Sequence, residues 1–274
     1  MIIVIQCTDQ IGLVAAISAL LAEKKMNITA MQEHVDNVEK LFFMRLEVDG
    51  ATVDHSIYKD LEQILPKGAL IKINPGTAKK IVVLVTKEYH CLADILIRNH
   101  FNTLSAAVQC VVGNHIVLKD ICDRFDIPFH YVPFEGDAVD FENRLLNTVE
   151  SYEFDYLVLA KFMRILSGGF VERFSRRIIN IHHSFLPAFA GASPYRQAYE
   201  RGVKLIGATA HYVTNELDEG PIIAQQIIPA GHSFTVADMV KAGQEIETAV
   251  LARALKLVFD DRVFVFKNKT VVLE

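Results

Sequence analysis

The sequence predicts an α/β protein in two parts, a split β-α-β-β-α-β unit followed by a larger, doubly wound and mostly parallel sheet. The first part follows from the order of apolar runs and helical patterns in residues 1–76. The second follows from the alternation of strands and helices after residue 80, which is typical of right-handed βαβ crossovers with helices on both faces of a sheet. The 274 residues, 51% of them apolar, are enough to bury two cores.

Six elements are predicted in the first part. Apolar periodicity predicts strands at residues 2–5, 26–35, 41–48 and 69–73, and helices at residues 11–25 and 53–65. Asn74, Pro75 and Gly76 favour neither helix nor strand, so we place the domain boundary there. The predicted domains are therefore residues 1–76 and 77–274.

The second part alternates between the two kinds of element. The pattern predicts strands at residues 81–86, 104–112, 129–132 and 156–160, with helices between them at residues 91–100, 116–125 and 139–152. Three further strands are expected at residues 178–181, 206–213 and 222–228, followed by a long helix at residues 235–259. Open α/β sheets bind their ligands at the carboxyl ends of the strands, so we expect the site there.

The composition favours a protein that acts on small molecules inside the cell. The net charge of −5 is too small to indicate a nucleic-acid or membrane partner, and no apolar run reaches the roughly 18–20 residues of a membrane span. Residues 1–5 lack the charged start and long apolar stretch of a signal peptide. No Cys-x-x-Cys pair occurs, and the cysteines lie in apolar runs that suit buried free thiols: Cys7, Cys91, Cys110 and Cys122. We therefore expect a soluble, cytoplasmic protein.

A polar loop joins the first strand to the first helix. Gly12 lets a ligand approach the helix start, where free N–H groups favour a carboxylate, although Asp9 could equally cap the helix and Gly12 could simply pack. The run Thr-Asp-Gln-Ile-Gly-Leu-Val at residues 8–14, with Asn-Ile at 27–28 and Phe-Phe-Met-Arg at 42–45, resembles the ACT domain. The resemblance implies a ferredoxin-like fold, paired copies in a homo-oligomer, and an amino-acid effector near Asp9, Gly12 and Asn27.

Polar side chains also follow one of the later strands. Asn180 and His182 are two positions apart and project from the same face, whereas His183 faces the other way and is interpreted as a structural histidine. A second polar loop, which contains Asp218, follows the next strand. A carboxylate brought against His182 would form an imidazole–carboxylate pair, and Asn180 would supply a donor for an oxyanion. These groups suit acyl chemistry, although a solvated Asp in a turn and a capping Asn are common.

Two other kinds of site fit the residues less well. His182, His183, His211 and Asp218 could converge on a metal, but neighbouring strand histidines point to opposite faces and no HExxH spacing is present, so we expect no metal. Ser184 lacks a GxSxG turn, and no cysteine lies near these loops, so a serine or cysteine nucleophile is not expected.

The order and spacing of these residues resemble the folate-dependent formyltransferase family. The matching runs are Asn-Ile-His-His-Ser-Phe-Leu-Pro at residues 180–187, His-Tyr-Val at 211–213 and Leu-Asp-Glu-Gly-Pro at 217–221. The resemblance implies a formyltransferase-like domain in which Asn180, His182 and Asp218 are catalytic. It also implies that main chain near residues 161–167 binds the pterin and that residues 213–216 close the other side, which assigns substrate contacts to Met163, Arg164, Ile165, Leu166, Val213, Asn215 and Glu216.

The pairing of an ACT domain with this fold resembles the formyltetrahydrofolate deformylases in particular. A glycinamide ribonucleotide formyltransferase needs a glycine-rich turn after the first strand of this domain to hold a phosphate. Thr-Lys-Glu-Tyr-His-Cys-Leu stands there instead, at residues 86–92, and Glu88, Tyr89 and His90 oppose a phosphate by charge or bulk. The resemblance thus implies a hydrolase that cleaves the amide bond of 10-formyltetrahydrofolate without a cofactor. It would supply formate for purine synthesis and balance the one-carbon pool, with methionine and glycine as effectors.

Two alternatives remain open at this point. One is a folate-dependent formyltransferase to an unidentified amine acceptor, and the other is a catalytically silent regulator that binds amino acids. Small departures from the deformylase pattern, at Ala93, Ser193 and Arg196, leave the details of the loop beside the site undecided.

Overall fold

The structure is a computed structural model that describes residues 1–50, 56–74, 78–188 and 194–274. The chain divides into two compact units, Met1–Thr77 with Asp260–Phe266 and Thr270–Glu274, and Ala78–Phe259 with Lys267–Lys269. The last residues therefore group mainly with the first unit, whereas the division predicted from the sequence places all of them in the second. Residues 53–55 of a predicted helix and Pro75 and Gly76 of the predicted boundary lie outside the described residues.

The first unit has the predicted order of six elements. They are β1 (Ile2–Thr8), α1 (Leu13–Glu23), β2 (Asn27–Asp36), β3 (Leu41–Asp49), α2 (Ser56–Ile64) and β4 (Leu70–Asn74). The sheet order is β2-β3-β1-β4, and all three strand pairs are antiparallel. Because side chains alternate along β1, Ile3 and Ile5 share one core cluster with Ile17 and Leu21 of α1 and Leu61 of α2.

The second unit contains every strand predicted for it and two additional helices. Its elements are β5 (Lys79–Val85), α3 (His90–His100), β6 (Ala106–Gly113), α4 (Lys119–Arg124), β7 (Phe129–Tyr131), α5 (Ala138–Glu150), β8 (Tyr156–Leu159), α6 (Gly168–Arg173), β9 (Ile178–His182), α7 (Pro194–Arg201), β10 (Leu205–Tyr212), β11 (Ile222–Pro229) and α8 (Val236–Phe259). The helix predicted at residues 116–125 forms as a 3-10 turn, Ile116–Leu118, followed by α4. Helices α6 and α7 were not predicted, because both are short and α6 begins with two glycines, which are weak helix formers.

The sheet of the second unit is mostly parallel, as predicted. Its order is β11-β10-β9-β8-β5-β6-β7, and the five strands from β9 to β7 pair in parallel. Val82 and Leu84 of β5 share one core cluster with Phe141 and Leu145 of α5 and Phe170 of α6. In the described parts of the chain, no helix is both long and apolar enough to cross a membrane.

Strand β10 departs from the parallel pattern. It runs antiparallel to both β9 and β11, so His211 lies opposite Asn180 and Thr209 lies opposite His182. The polar loop after β10 consequently leaves near the start of β9 and not near its carboxyl end. The loop must fold back over the sheet to bring its side chains toward His182.

The chain ends in a hairpin that the sequence analysis did not predict. Strands β12 (Val263–Phe266) and β13 (Lys269–Val272) form a two-stranded sheet. Phe264 meets Phe43 of β3 edge-on at 5.4 Å between ring centroids, and the buried Asp261 carboxylate accepts a hydrogen bond from Asn74 Nδ2 at 2.5 Å. These contacts explain why residues after α8 group with the first unit.

Candidate active site

A cavity of about 370 Å³ opens at the end of β8 and β9 in the second unit. Its volume lies within the range of small-molecule sites. Three stretches of chain line it: the segment after β8, the end of β9 and the loop after β10. All ten residues predicted from the sequence for catalysis and substrate binding lie on its wall: Met163, Arg164, Ile165, Leu166, Asn180, His182, Val213, Asn215, Glu216 and Asp218.

His182 and Asp218 form the predicted imidazole–carboxylate pair. Nδ1 of His182 lies 3.3 Å from Oδ1 of Asp218, and both side chains are almost completely buried. Burial alone would raise the pKa of Asp218, but the hydrogen bond from His182 and the neighbouring imidazoles outweigh it, so this pKa is lower than usual. Nε2 of His182 is buried and has no partner among the described residues. The pair therefore leaves one ring nitrogen for a bound molecule.

Asn180 is held by His211, to which the sequence assigns no catalytic or binding role. Nδ2 of Asn180 lies 3.3 Å from Nε2 of His211, and Nδ1 of His211 lies 2.9 Å from the carbonyl oxygen of Tyr212. Because that carbonyl can only accept, we place the ring proton of His211 on Nδ1, and Nε2 then accepts from Asn180. Burial lowers the pKa of His211, which keeps the ring neutral. His211 thereby orients the Asn180 amide; its position directly opposite Asn180 on β10 is the signal that could have indicated this role.

In the segment after β8, two of the four main-chain N–H groups at residues 163–166 are already used within the protein. The N–H of Met163 donates to Thr86 Oγ1 at 2.9 Å, and the N–H of Arg164 donates to the Phe162 carbonyl at 2.9 Å. In the described part of the chain, the amides of Ile165 and Leu166 donate no hydrogen bond. These two N–H groups are the donors left for a polar heterocycle.

Side chains and main chain on both sides of the cavity already contact other parts of the protein. The Arg164 guanidinium stacks on the Phe134 ring, 4.0 Å from its centroid, and Ile165 is 76% exposed. On the facing loop, Val213 N–H donates to the Ile178 carbonyl and Asn215 Nδ2 donates to Glu172 Oε1 at 3.1 Å. The cavity wall is therefore held in place by contacts that are independent of any ligand.

A buried carboxylate on α8 forms a second polar cluster beside the cavity. Glu247, only 1% exposed, accepts hydrogen bonds from His90 Nε2 at 2.8 Å and from the Tyr195 hydroxyl at 2.7 Å, and Lys161 Nζ lies 3.1 Å away. Burial by itself would raise its pKa, but these donors lower it to about 2. This cluster was not predicted from the sequence; the signal for it is a glutamate on the apolar face of α8, beside Ile246 and Val250.

The same cluster contains the one group of potential metal-ligand atoms found among the described residues. Atoms of His90, Cys91 and Glu247 lie within 4.8 Å of one another. Both Glu247 oxygens, however, already face Tyr195, His90 or Lys161, and burial followed by the Glu247 charge raises the pKa of the Cys91 thiol. The geometry therefore favours a hydrogen-bonded cluster over a metal site.

The structure separates the three residues predicted for an effector in the first unit. Asp9 and Gly12 follow the end of β1 that lies opposite Leu41, whereas Asn27 lies opposite Asp49 at the far end of β3. The nine residues of β3 place these ends about 25 Å apart, so one copy cannot bring Asn27 to the other two. A site that uses all three residues would therefore have to take Asn27 from a second copy, as the predicted pairing of copies allows.

The loop before α1 does not use a side chain to cap the helix. The N-cap residue is Gly12, with φ of 92°, and no side chain caps the helix there, while the Asp9 N–H donates to the Lys40 carbonyl at 2.8 Å. A left-handed φ of this size is one that glycine adopts readily. Beside it, Ile11 is fully exposed.

Three residues depart from the usual deformylase pattern noted in the sequence. Ser193 lies outside the described residues, and Ala93 and Arg196 lie in α3 and α7.

Comparisons with known proteins match both parts of the chain. The family model described as Formyl transferase matches residues 79–255, and the one described as ACT domain matches residues 1–66. A formyltetrahydrofolate deformylase of Escherichia coli (strain K12) is 48% identical over 97% of this chain and 96% of its own length. One of Bacillus subtilis (strain 168) is 41% identical over 98% of this chain and 92% of its own length.

Solved structures give the same result. A formyltetrahydrofolate deformylase from Pseudomonas syringae pv. tomato str. DC3000 superposes with a TM-score of 0.94 at 39% identity, covering 100% of this chain and 94% of that one. Glycinamide ribonucleotide transformylase 1 from Symbiobacterium toebii has a TM-score of 0.70 at 29% identity and covers 73% of this chain and 96% of that one. The deformylase thus matches the whole chain, and the transformylase matches a smaller part of it.

Proposed function

This chain belongs to the formyltetrahydrofolate deformylase family, and on that premise we propose that its cavity hydrolyses 10-formyltetrahydrofolate to formate and tetrahydrofolate. The observation that carries the proposal is the His182–Asp218 pair beside Asn180, with one ring nitrogen of His182 unpartnered among the described residues. A folate is the substrate, and water is the acceptor of the formyl group.

In the proposed reaction, Asp218 holds His182 through Nδ1 so that Nε2 faces the formyl group. The water oxygen bonds to the formyl carbon, and the electron pair of the carbonyl moves to its oxygen. The proton lost by the water passes to Nε2 of His182, and Asp218 stabilises the imidazolium. Asn180 donates a hydrogen bond to the tetrahedral oxyanion. Transfer of the proton to N10 as the C–N bond breaks releases formate and tetrahydrofolate.

The segment between β5 and α3 supports hydrolysis over transfer to a phosphorylated amine. The Glu88 carboxylate accepts a hydrogen bond from Gln244 Nε2 at 3.0 Å, and His90 is committed to Glu247. Two carboxylates at this place repel a phosphate, and bonded side chains occupy the room that a glycine-rich turn would leave. This arrangement argues against the alternative of a formyltransferase.

The proposal predicts that the protein releases formate when no amine acceptor is present. We expect formate and tetrahydrofolate in a one-to-one ratio from 10-formyltetrahydrofolate in buffer, measured by a coupled formate assay and by absorbance of the folate. Formate that appeared only after an amine was added would support the transferase instead. A protein that bound the folate without a single turnover would be the silent regulator.

We further infer that the first unit binds an amino acid and pairs with a second copy. Support comes from the open edges of its four-stranded sheet, the exposed Ile11 and the uncapped helix start at Gly12, where N–H groups favour a carboxylate and Asp9 can meet an ammonium group. Methionine and glycine are the candidate effectors. Such a ligand changes activity only through its different affinities for two states of the enzyme.

Adding methionine or glycine is expected to change the rate of formate release, within the roughly 5- to 150-fold range of typical allosteric coupling. Gly12→Val should abolish the response, because a β-branched residue is strained at a φ of 92°. Gly68→Val is a matched control, since Gly68 also has a positive φ, open space around it and a position in the same unit. Wild-type activity that ignores both amino acids, or an equal loss of response in both variants, would contradict the inference.

A further inference from the structure

His183, which strand alternation predicts to face away from His182 as a structural histidine, instead lines the same cavity and has no role in the reaction described above. Its side chain is half-buried, and its ring centroid lies 5.1 Å from that of His182 and 6.1 Å from that of Tyr195. Among the described residues, no hydrogen bond or ion pair involves either of its ring nitrogens. His182 and His211, by contrast, each have a ring nitrogen committed to a protein group. Among these three histidines, His183 is therefore the one with both ring nitrogens free to bind water.

We propose that His183 positions the attacking water by accepting one of its hydrogen bonds, and that Lys161, held in place by Glu247, keeps the His183 ring able to accept. The inference rests on the proposed hydrolysis. A water that donates one hydrogen to His182 Nε2 and the other to His183 has both hydrogens engaged, so its lone pairs are left for the formyl carbon. His183 takes no proton in this step and serves only to orient the water.

The surroundings of His183 explain why its ring is neutral. Burial, followed by the Lys161 ammonium group and then His182, lowers the pKa of His183 to about 4, while Glu247 and Asp218 act in the opposite direction. Lys161 follows β8 and His182 ends β9, whereas Glu247 lies in α8 and Asp218 lies in the loop after β10. Tyr195 of α7 also lies beside the His183 ring. A neutral imidazole carries a lone pair that accepts a hydrogen bond, and an imidazolium does not.

Glu247 connects this effect to the fold. Its carboxylate binds Tyr195 through Oε1 and lies within 3.1 Å of Lys161 Nζ through Oε2, so one buried group holds both neighbours of His183 in place. Lys161 itself has a positive φ of 61° and is almost completely buried, and it lines the cavity together with His183. Lys161 is thus a positioning residue that acts through His183, and Glu247 contributes by holding Lys161 and Tyr195.

The first test compares His183→Ala and His183→Gln with wild type in the acceptor-free formate assay. His183→Ala should lower kcat by roughly 30-fold and leave KM within about twofold. The expected loss is somewhat smaller than the roughly 100-fold cost of misplacing a reacting group by 1 Å, because the water would still be held by His182. His183→Gln restores an acceptor and should recover part of the loss. His232→Ala, a change of an exposed histidine, is the control and should match wild type. Circular dichroism checks that each variant is folded.

The second test asks whether Lys161 acts through the ring of His183. Lys161→Met removes the largest charge that lowers the pKa of His183, so the pKa should rise toward its ordinary value of 6.5. A protonated ring cannot accept, so activity in this variant should fall below about pH 6, where the wild-type contribution of His183 persists. NMR titration of labelled histidines, assigned with His183→Gln, measures the pKa directly.

Each outcome separates this inference from the proposed function. A wild type that releases no formate overturns the hydrolysis and this inference with it. A wild type that releases formate, with His183→Ala keeping more than a third of its kcat, overturns the water-positioning role alone. A His183 pKa that does not move in Lys161→Met overturns the role of Lys161.

Discussion

Asp218→Asn is expected to slow formate release by about 10³-fold, with little change in folate affinity. The asparagine amide has the size of the carboxylate but no charge, so it can neither stabilise an imidazolium at His182 nor require the ring proton on Nδ1. The 3.3 Å contact and the lowered pKa of Asp218 both indicate that the carboxylate is ionised in the folded enzyme. Steady-state kinetics with 10-formyltetrahydrofolate at saturating concentration measures the loss.

A matched change on the surface controls for the substitution itself. Asp120 forms an exposed pair with Arg124 one helical turn away, and such pairs contribute little to stability, so Asp120→Asn should retain wild-type kinetics. If Asp218→Asn kept more than a tenth of wild-type kcat, the carboxylate would not be part of the catalytic group, and Asn180 and His182 would have to act without it.

Gly220→Ala should be nearly as damaging, although residue 220 is not proposed to touch the substrate. A Cβ at this position would overlap the carbonyl oxygen of Tyr212, far inside van der Waals contact, and would also press on His211 Nδ1 at 3.3 Å. The neighbouring bond from Tyr212 N–H to the Pro221 carbonyl, 2.9 Å long, holds the end of the loop that carries Asp218. Backbone atoms must move, so we expect destabilisation by about 2 kcal/mol and a kcat/KM about 10²-fold lower.

Urea unfolding and formate release together separate the two effects of Gly220→Ala. Gly169→Ala is the control, because a Cβ there meets nothing closer than 3.9 Å and Gly169 lies within helix α6. We expect that variant to be as active as wild type and equally or slightly more stable. A Gly220→Ala enzyme with full activity would show that the loop after β10 tolerates displacement and that Asp218 does not depend on it.

Local sequence patterns predicted the fold class, every strand of the two larger sheets and the ten catalytic and substrate-binding residues on the cavity wall. They predicted neither the C-terminal hairpin nor the position of His183 on that wall. Apolar residues that recur every two positions indicate a strand, and those that recur every three to four positions indicate a helix. Both signals lie within a short stretch of chain, so they can be read without knowing the tertiary structure. Asn180, His182 and Asp218 were identified from the runs at residues 180–187 and 217–221. Catalytic residues can be recognised in this way because they combine particular residue types at fixed spacings. The helices α6 and α7 were not predicted, because helices this short show too few turns of apolar periodicity to be distinguished from loops.

The way these residues meet depends on contacts between segments that are distant in the chain. The antiparallel direction of β10 places His211 against Asn180 and makes the Asp218 loop fold back, and strand direction has no local sequence signal. The register of β3 separates Asn27 from Asp9, and the packing of α8 brings Glu247 to Lys161, two residues 86 positions apart in the chain. Pairings between distant segments depend on the free energy of the whole packed sheet, because each segment alone could pair in several ways.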